Sequence, residues 1–327
     1  MIERATYRLP PAGHGVPPRG REYPAPDKKL RRILDTWLEA EGWEHDSDDF
    51  ALEITKELDL QLAEVHALLL HYQAHPLHDE MGRFISALYH RVPERVIVFD
   101  LELEKPPSWL AYHSPSGKVF INTSTLGGAT GWGASGPVIN MGRDSEAVTD
   151  CSSAPFINYG EISAYPLRQA LGPDENATIA ERASSLLINL GVIRPPLFTG
   201  KESSGVIINY GTCPAYLGFQ SSAMVINCGQ AGDYMASAAK GIVLAVREPK
   251  SVGLKSEMEL YLDQGRCARI PELGVYLETL RERFERGRGD SDAAVRALDD
   301  LGPHPEQRIR QDISLILTRA GYRRRVY

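Results

Sequence analysis

The apolar positions of this chain change period twice. Between residues 27 and 93 they recur at helical spacing. Leu30, Ile33, Leu34, Trp37 and Leu38 form one stripe behind Asp27, which suits an N-cap. The same spacing predicts helices from about Ser47 to Leu58, Leu60 to Tyr72 and His78 to Tyr89; the last carries Met81, Phe84, Ile85 and Leu88. From Val96 the period shortens to that of strands. Val96–Phe99 reads as a strand, and Trp109–Tyr112 and Lys118–Ile121 flank Ser114-Pro115-Ser116-Gly117 as the arms of a hairpin. From about residue 265 the helical period returns. Leu273, Leu277, Leu280 and Phe284 share a face, Gly287-Arg288-Gly289-Asp290 breaks it, and Ile309, Ile313 and Leu317 mark a final helix.

Between these helical ends lies a repeat. The pair Ile-Asn recurs so that Asn122, Asn140, Asn158, Asn189, Asn209 and Asn227 stand 18, 18, 31, 20 and 18 residues apart. A glycine follows two residues later in five copies: Gly142, Gly160, Gly191, Gly211 and Gly229. Tyr165, Tyr216 and Tyr234 follow three of those glycines at a constant offset, and Ile242-Val243-Leu244 is a worn further copy. Eighteen extended residues span about 59 Å at ~3.3 Å each, enough for three short strands and three bends. Chance pairs in a sandwich do not keep such a register, so stacked coils are expected. Asn tolerates a bend and its amide bonds to the amide stacked on it. The gap of 31 is expected to hold an insertion of about a dozen residues with a helix near Ala177–Ser185. If Ile points inward, then Phe120, Val138, Phe156, Leu187, Ile207 and Val225 form an outer stripe. The flanking helices are expected to cover that stripe and to cap the solenoid ends. Replacing Asn209 or Asn227 with Ala should cost roughly 1–3 kcal/mol.

The expected organisation is an extended or disordered arm at 1–26, a helical domain at 27–93, a β-solenoid at 94–250 with a helical insertion near 165–186, and a helical region at 251–327. A net charge of -7 argues against a general polyanion binder, and the Arg323-Arg324-Arg325 tail is too short to reverse it. No apolar run reaches membrane length and no secretory h-region opens the chain, so the cytoplasm is the expected location. Cys151, Cys213, Cys228 and Cys267 show no paired spacing and read as reduced thiols.

The stretch Gly229-Gln230-Ala231-Gly232-Asp233-Tyr234-Met235-Ala236-Ser237-Ala238-Ala239-Lys240-Gly241-Ile242-Val243 resembles the repeat of the GXGXG β-helix family. That family includes the C-terminal domain of the large chain of glutamate synthase and one component of formylmethanofuran dehydrogenase. Cys213-Pro214-Ala215-Tyr216-Leu217-Gly218 resembles a decayed preceding copy. The likeness covers about 40 residues well and implies a single-stranded right-handed β-helix. In that family the β-helix is mainly a scaffold. The departures count: Ile242 stands where the family has a second glycine, and the chain has no glutaminase, flavin or iron–sulfur signature, so neither activity carries over.

Candidate chemistry is thin. Residues 51–73 have the outline of a helix-turn-helix, but the recognition segment Gln61–Tyr72 lacks Lys and Arg, so nucleic acid is not an expected partner. His66, His71, His75 and His78 cluster; His71, His75 and His78 are weak metal candidates, since Pro76 breaks the helix that would align them. Gly127–Gly133 lacks the Lys and following helix of a phosphate cradle. Asp144, Glu146, Asp150, Glu161 and Asp233 are available carboxylates, with nothing to select a catalytic pair. The six-residue aliphatic period of hexapeptide acyltransferases is absent, because Asp144 and Asp150 occupy its positions. No cofactor is expected. The leading expectation is a non-catalytic scaffold that binds a protein partner or a second copy. An enzyme with a groove on the solenoid or at its helical junction is the alternative, and a helix-turn-helix regulator with a ligand-binding solenoid is the third.

Overall fold

The computed structural model describes residues 5–6, 22–23, 27–40, 47–72, 81–145, 147–164, 178–194, 197–247, 250, 259–262 and 270–321. Four helices come first: α1 (Lys28–Ala40), α2 (Ser47–Thr55), α3 (Leu62–Tyr72) and α4 (Met81–Tyr89). Asp27 caps α1, its Oδ1 accepting from the Lys29 amide at 2.7 Å. Leu34, Trp37, Val65, Leu68, Leu69, Met81, Phe84, Ile85 and Leu88 are fully buried among them. Within the expected arm, Ala5–Thr6 and Glu22–Tyr23 pair antiparallel.

The middle of the chain is a parallel β-solenoid. Among the described residues its long sheet has nine strands, all parallel, from Val96–Phe99 to Glu259–Leu262. The register stacks Ile121, Ile139, Ile157, Ile188, Ile208, Ile226 and Leu244, with the six asparagines beside them. A second side stacks Arg143–Asp144, Glu161–Ile162, Val192–Ile193, Thr212–Ala215 and Gln230–Asp233. The third side pairs Thr178–Ile179 with Phe198–Thr199 and adds bridges from Val148 and Leu217. Three short strands and three bends therefore make one coil.

Both faces of the long sheet are buried, and their roles are the reverse of the expectation. Phe120, Val138, Phe156, Leu187, Ile207 and Val225 point into the solenoid, with Leu126, Ile162, Ile193 and Leu217. The Ile column points outward. It is covered by α5 (Pro271–Glu285), α6 (Ser291–Asp299) and α7 (Pro305–Arg319), through Leu273, Leu277, Phe284, Ile309, Ile313 and Leu317. Each buried Ile contributes on the order of 1.5–3 kcal/mol. The first coil meets α3 and α4 instead: the Tyr89 ring lies 6.0 Å from Phe120 and the His66 ring 6.1 Å from Phe99. A Cβ on Gly82 would strike the Ser108 carbonyl oxygen, so this glycine lets α4 sit directly on the backbone of the first coil.

Polar clamps hold the outer helices. Tyr159 donates to the Phe284 carbonyl at 2.6 Å and Tyr210 to that of Leu277 at 2.7 Å. Burial pushes both phenols above their ordinary value. Arg288 donates to the carbonyls of Tyr159 and Leu190, and Arg310 to those of Ser204 and Gly205. Arg288→Ala leaves two carbonyls short of a partner, so a loss of about 1–3 kcal/mol is expected. Limited proteolysis should then release residues 270–321 before the solenoid; cleavage at the wild-type rate would speak against the clamp.

Further expectations need correction. Lys118–Ile121 is not a hairpin arm: Val119–Asn122 pairs in parallel with Val96–Phe99, while 109–113 forms turns. The segment 178–186 is strand and turn rather than helix; the rest of the expected insertion, 165–177, lies outside the described residues. The solenoid also runs past 250, since Glu259–Leu262 adds a strand beside Ile242–Ala245.

Candidate functional site

Most of the solenoid's buried amides act on the solenoid itself. Asn122 Nδ2 donates to Asn140 Oδ1 at 2.9 Å, and each asparagine repeats this to the next: 140 to 158, 158 to 189, 189 to 209 and 209 to 227, all at 2.8 Å. The row ends where Asn227 donates to the Arg247 carbonyl at 2.9 Å, because Ala245 occupies the next position. The column is at most 1 % exposed, so each amide has only its neighbours as partners. The repeat glycines stand at the corner just beyond. A Cβ on Gly160 would lie 1.9 Å from the Gly142 oxygen, and one on Gly211 2.1 Å from the Gly191 oxygen. These coils touch backbone to backbone.

The third side carries an unusual backbone. Among the described residues fifteen that are not glycine have positive φ, and all lie there, at alternate positions: Ala147, Thr149 and Cys151 on one coil, Tyr234, Ala236 and Ala238 on another. Such residues each cost about 1–2 kcal/mol. Hydrogen bonds between coils offset this, among them Thr149 to Thr130 at 2.7 Å and Ala236 to Leu217 at 2.7 Å. Gly131 and Gly133 belong to this ladder. Their amides donate to Leu110 and Asp150 carbonyls, so Gly127–Gly133 is a coil corner and its amides are not aimed at a phosphate.

Aromatic rings decorate the same side. Phe198, Tyr216 and Tyr234 stack at 4.3 and 5.4 Å. The stack packs ring on ring from coil to coil, and Tyr234 is half-exposed. At the other end Arg83 lies 4.2 Å over Trp109, whose ring is 5.9 Å from Trp132.

The candidate carboxylates are dispersed. Asp150 is 1 % exposed and fully engaged: Thr178 Oγ1 bonds Oδ2 at 2.6 Å and the Glu181 amide donates to Oδ1 at 2.8 Å. Burial pushes its carboxyl up to about 7. Asp144 is also interior. Glu161 pairs with Arg194 at 3.0 Å and Asp233 with Lys250 at 2.7 Å, both at the surface. Glu146 lies outside the described residues. No two of the four described candidates make a shared site.

The other candidates resolve as follows. His66 is buried against Tyr89 and Phe99. His71 is exposed, and His75 and His78 lie outside the described residues. Among the described residues no group of three or more His, Cys, Asp or Glu is arranged to hold a metal ion. The expected recognition helix, α3, buries Val65 through Leu70 in the core. Cys151 is exposed, Cys213 buried and Cys228 half-buried; Cys267, like the Arg323–Arg325 tail, lies outside the described residues. No described helix is long and apolar enough to cross a membrane.

These features define a class: a parallel β-solenoid of roughly 18-residue coils, with helices against its first coil and along one face. No family model matches the chain, and neither the curated proteins nor the solved structures give a significant match.

Proposed function

We propose that the protein is a non-catalytic scaffold whose coils hold a partner protein. One observation carries this reading: apart from one oxygen of the interior Asp144, the polar groups that converge in the coils are spent on the coils. The six amides form a closed row, and Asp150 is locked by Thr178 and the Glu181 amide. The exposed carboxylates Glu161 and Asp233 sit in ion pairs on separate coils. The likeness to the GXGXG family, whose β-helix is a scaffold, supports the same reading. The outer Ile column is not the docking face, because α5 to α7 already cover it. A partner would meet the second and third sides. The buried face of α3 counts against the regulator.

The test is crosslinking of the full chain at native abundance, followed by peptide mapping. A stoichiometric protein partner linked to Lys201, Lys240 or Lys250 supports the proposal. A turnover of any small molecule that Glu161→Gln or Asp233→Asn abolishes would overturn it.

A further inference from the structure

One inward column of the solenoid is interrupted by an acid. Along the second side, successive coils point Leu126, Asp144, Ile162, Ile193, Cys213 and Ala231 into the interior. Asp144 is 3 % exposed. Its Oδ1 accepts from the Thr130 hydroxyl at 3.2 Å and the Ser145 amide at 2.8 Å. Its Oδ2 is buried and has no hydrogen-bond partner among the described residues. The flanking column members are Leu126 and Ile162, and Thr130 and Val148 line the interior beside them. No charged side chain among the described residues offsets it; burial acts against only the Ser145 amide and the Thr130 hydroxyl. Asp150, on the same coil but on the third side, differs: both its oxygens are bonded, and Glu181 and Lys201 bring opposite charges to it. A carboxylate with an unsolvated oxygen in an aliphatic column is costly, whereas the neutral acid is far less so. The strand that carries Asp144 is only two residues long.

We propose that this coil is a proton-controlled joint. It closes around Asp144 as the neutral acid, and loss of that proton to solvent loosens residues 138–164 while the remaining coils stay paired. The inference stands apart from the scaffold reading.

Burial pushes this carboxyl up to about 7, against an ordinary value near 4. The closed coil therefore binds more protons than the open one across that window. Closure is complete below the lower value and is lost as pH rises through the upper one. Hydrogen exchange on the full chain, corrected for the intrinsic chemical rate, tests this at the amides of Arg143, Glu161 and Ser163, which bond carbonyls of Ser124, Gly142 and Asp144. Their opening constant should rise roughly tenfold per pH unit between 5 and 7 and level off above. Amides of 206–209 should not follow. Asp144→Leu, which copies the column, and Asp144→Asn should both flatten the profile. The same slope in either folded variant, or an equal slope at 206–209, would overturn the proposal.

Discussion

Asn189→Asp is expected to lower the urea midpoint of the solenoid sharply at neutral pH. Asn189 Oδ1 accepts from Asn158 Nδ2, and its Nδ2 donates to Asn209 Oδ1 at 2.8 Å and to the Thr212 carbonyl at 3.2 Å. In the aspartate, an oxygen faces both acceptors. The site is 0 % exposed, so water cannot intervene. An uncompensated buried charge costs about 3–5 kcal/mol, a large part of a typical folding margin of about 5–15 kcal/mol. Asn189→Ala should be milder, at about 2–4 kcal/mol, because it leaves neutral groups unpaired. Urea denaturation followed by circular dichroism separates the two. Acidification should partly rescue the aspartate, since the neutral acid again donates. A wild-type midpoint for Asn189→Asp at pH 7 would show that the amide row does not hold the coils.

Gly211→Ala should be nearly as damaging, for a steric reason. The added carbon would lie 2.1 Å from the Gly191 oxygen and 2.8 Å from the Leu190 carbonyl carbon. Both are backbone atoms of the coil below, so no side chain can swing aside. The coils must separate locally, and a loss of about 3 kcal/mol or more is expected. Gly274→Ala is the control. It lies inside α5 with nothing within 4 Å of the new carbon, and should stabilise by about 0.5–1 kcal/mol. Thermal melts of the two variants should move in opposite directions. A Gly211→Ala melt at the wild-type temperature would mean that the coils are not in backbone contact at this corner.

The repeat is legible because the physics of stacking acts on like residues at like positions. The asparagine spacing alone gives the coil, its register and its three sides. The assignment of faces fails for an identifiable reason. In Phe156-Ile157-Asn158 both apolar positions are buried, one inside the coils and one beneath the helices, so hydrophobicity cannot rank them. The parity of the asparagine decides it. An amide bonded to its stacked neighbours lies inside, and Phe156 shares its side of the strand whereas Ile157 does not.

The hairpin expectation shows a different limit. Ser114–Gly117 is a sound turn signal, yet strand Val119–Asn122 finds its partner 23 residues back, at Val96–Phe99. Local turn chemistry does not encode which strand lies alongside. The left-handed positions are hidden for a related reason. Only part of that side uses glycine, as at Gly131, Gly133, Gly200 and Gly218; elsewhere Thr149, Arg182 and Tyr216 are forced into the same conformation by their neighbours. A second row of close-packed glycines, Gly136, Gly205 and Gly241, sits just before the long strands. Their spacing is present in the sequence but hard to see, because Ala154, Ser185 and Ala223 interrupt it.

The spacings of 31 and 20 also have a consequence for how this molecule can change. The additional residues of both longer coils enter at one corner, between the second side and the third: after Ala164 in the first, and between Arg194 and Phe198 in the second. The strands on either side keep their partners. Length can therefore be added there without disturbing the winding. That seam is where lineages, or protein engineers, can splice new sequence onto an otherwise unaltered spool.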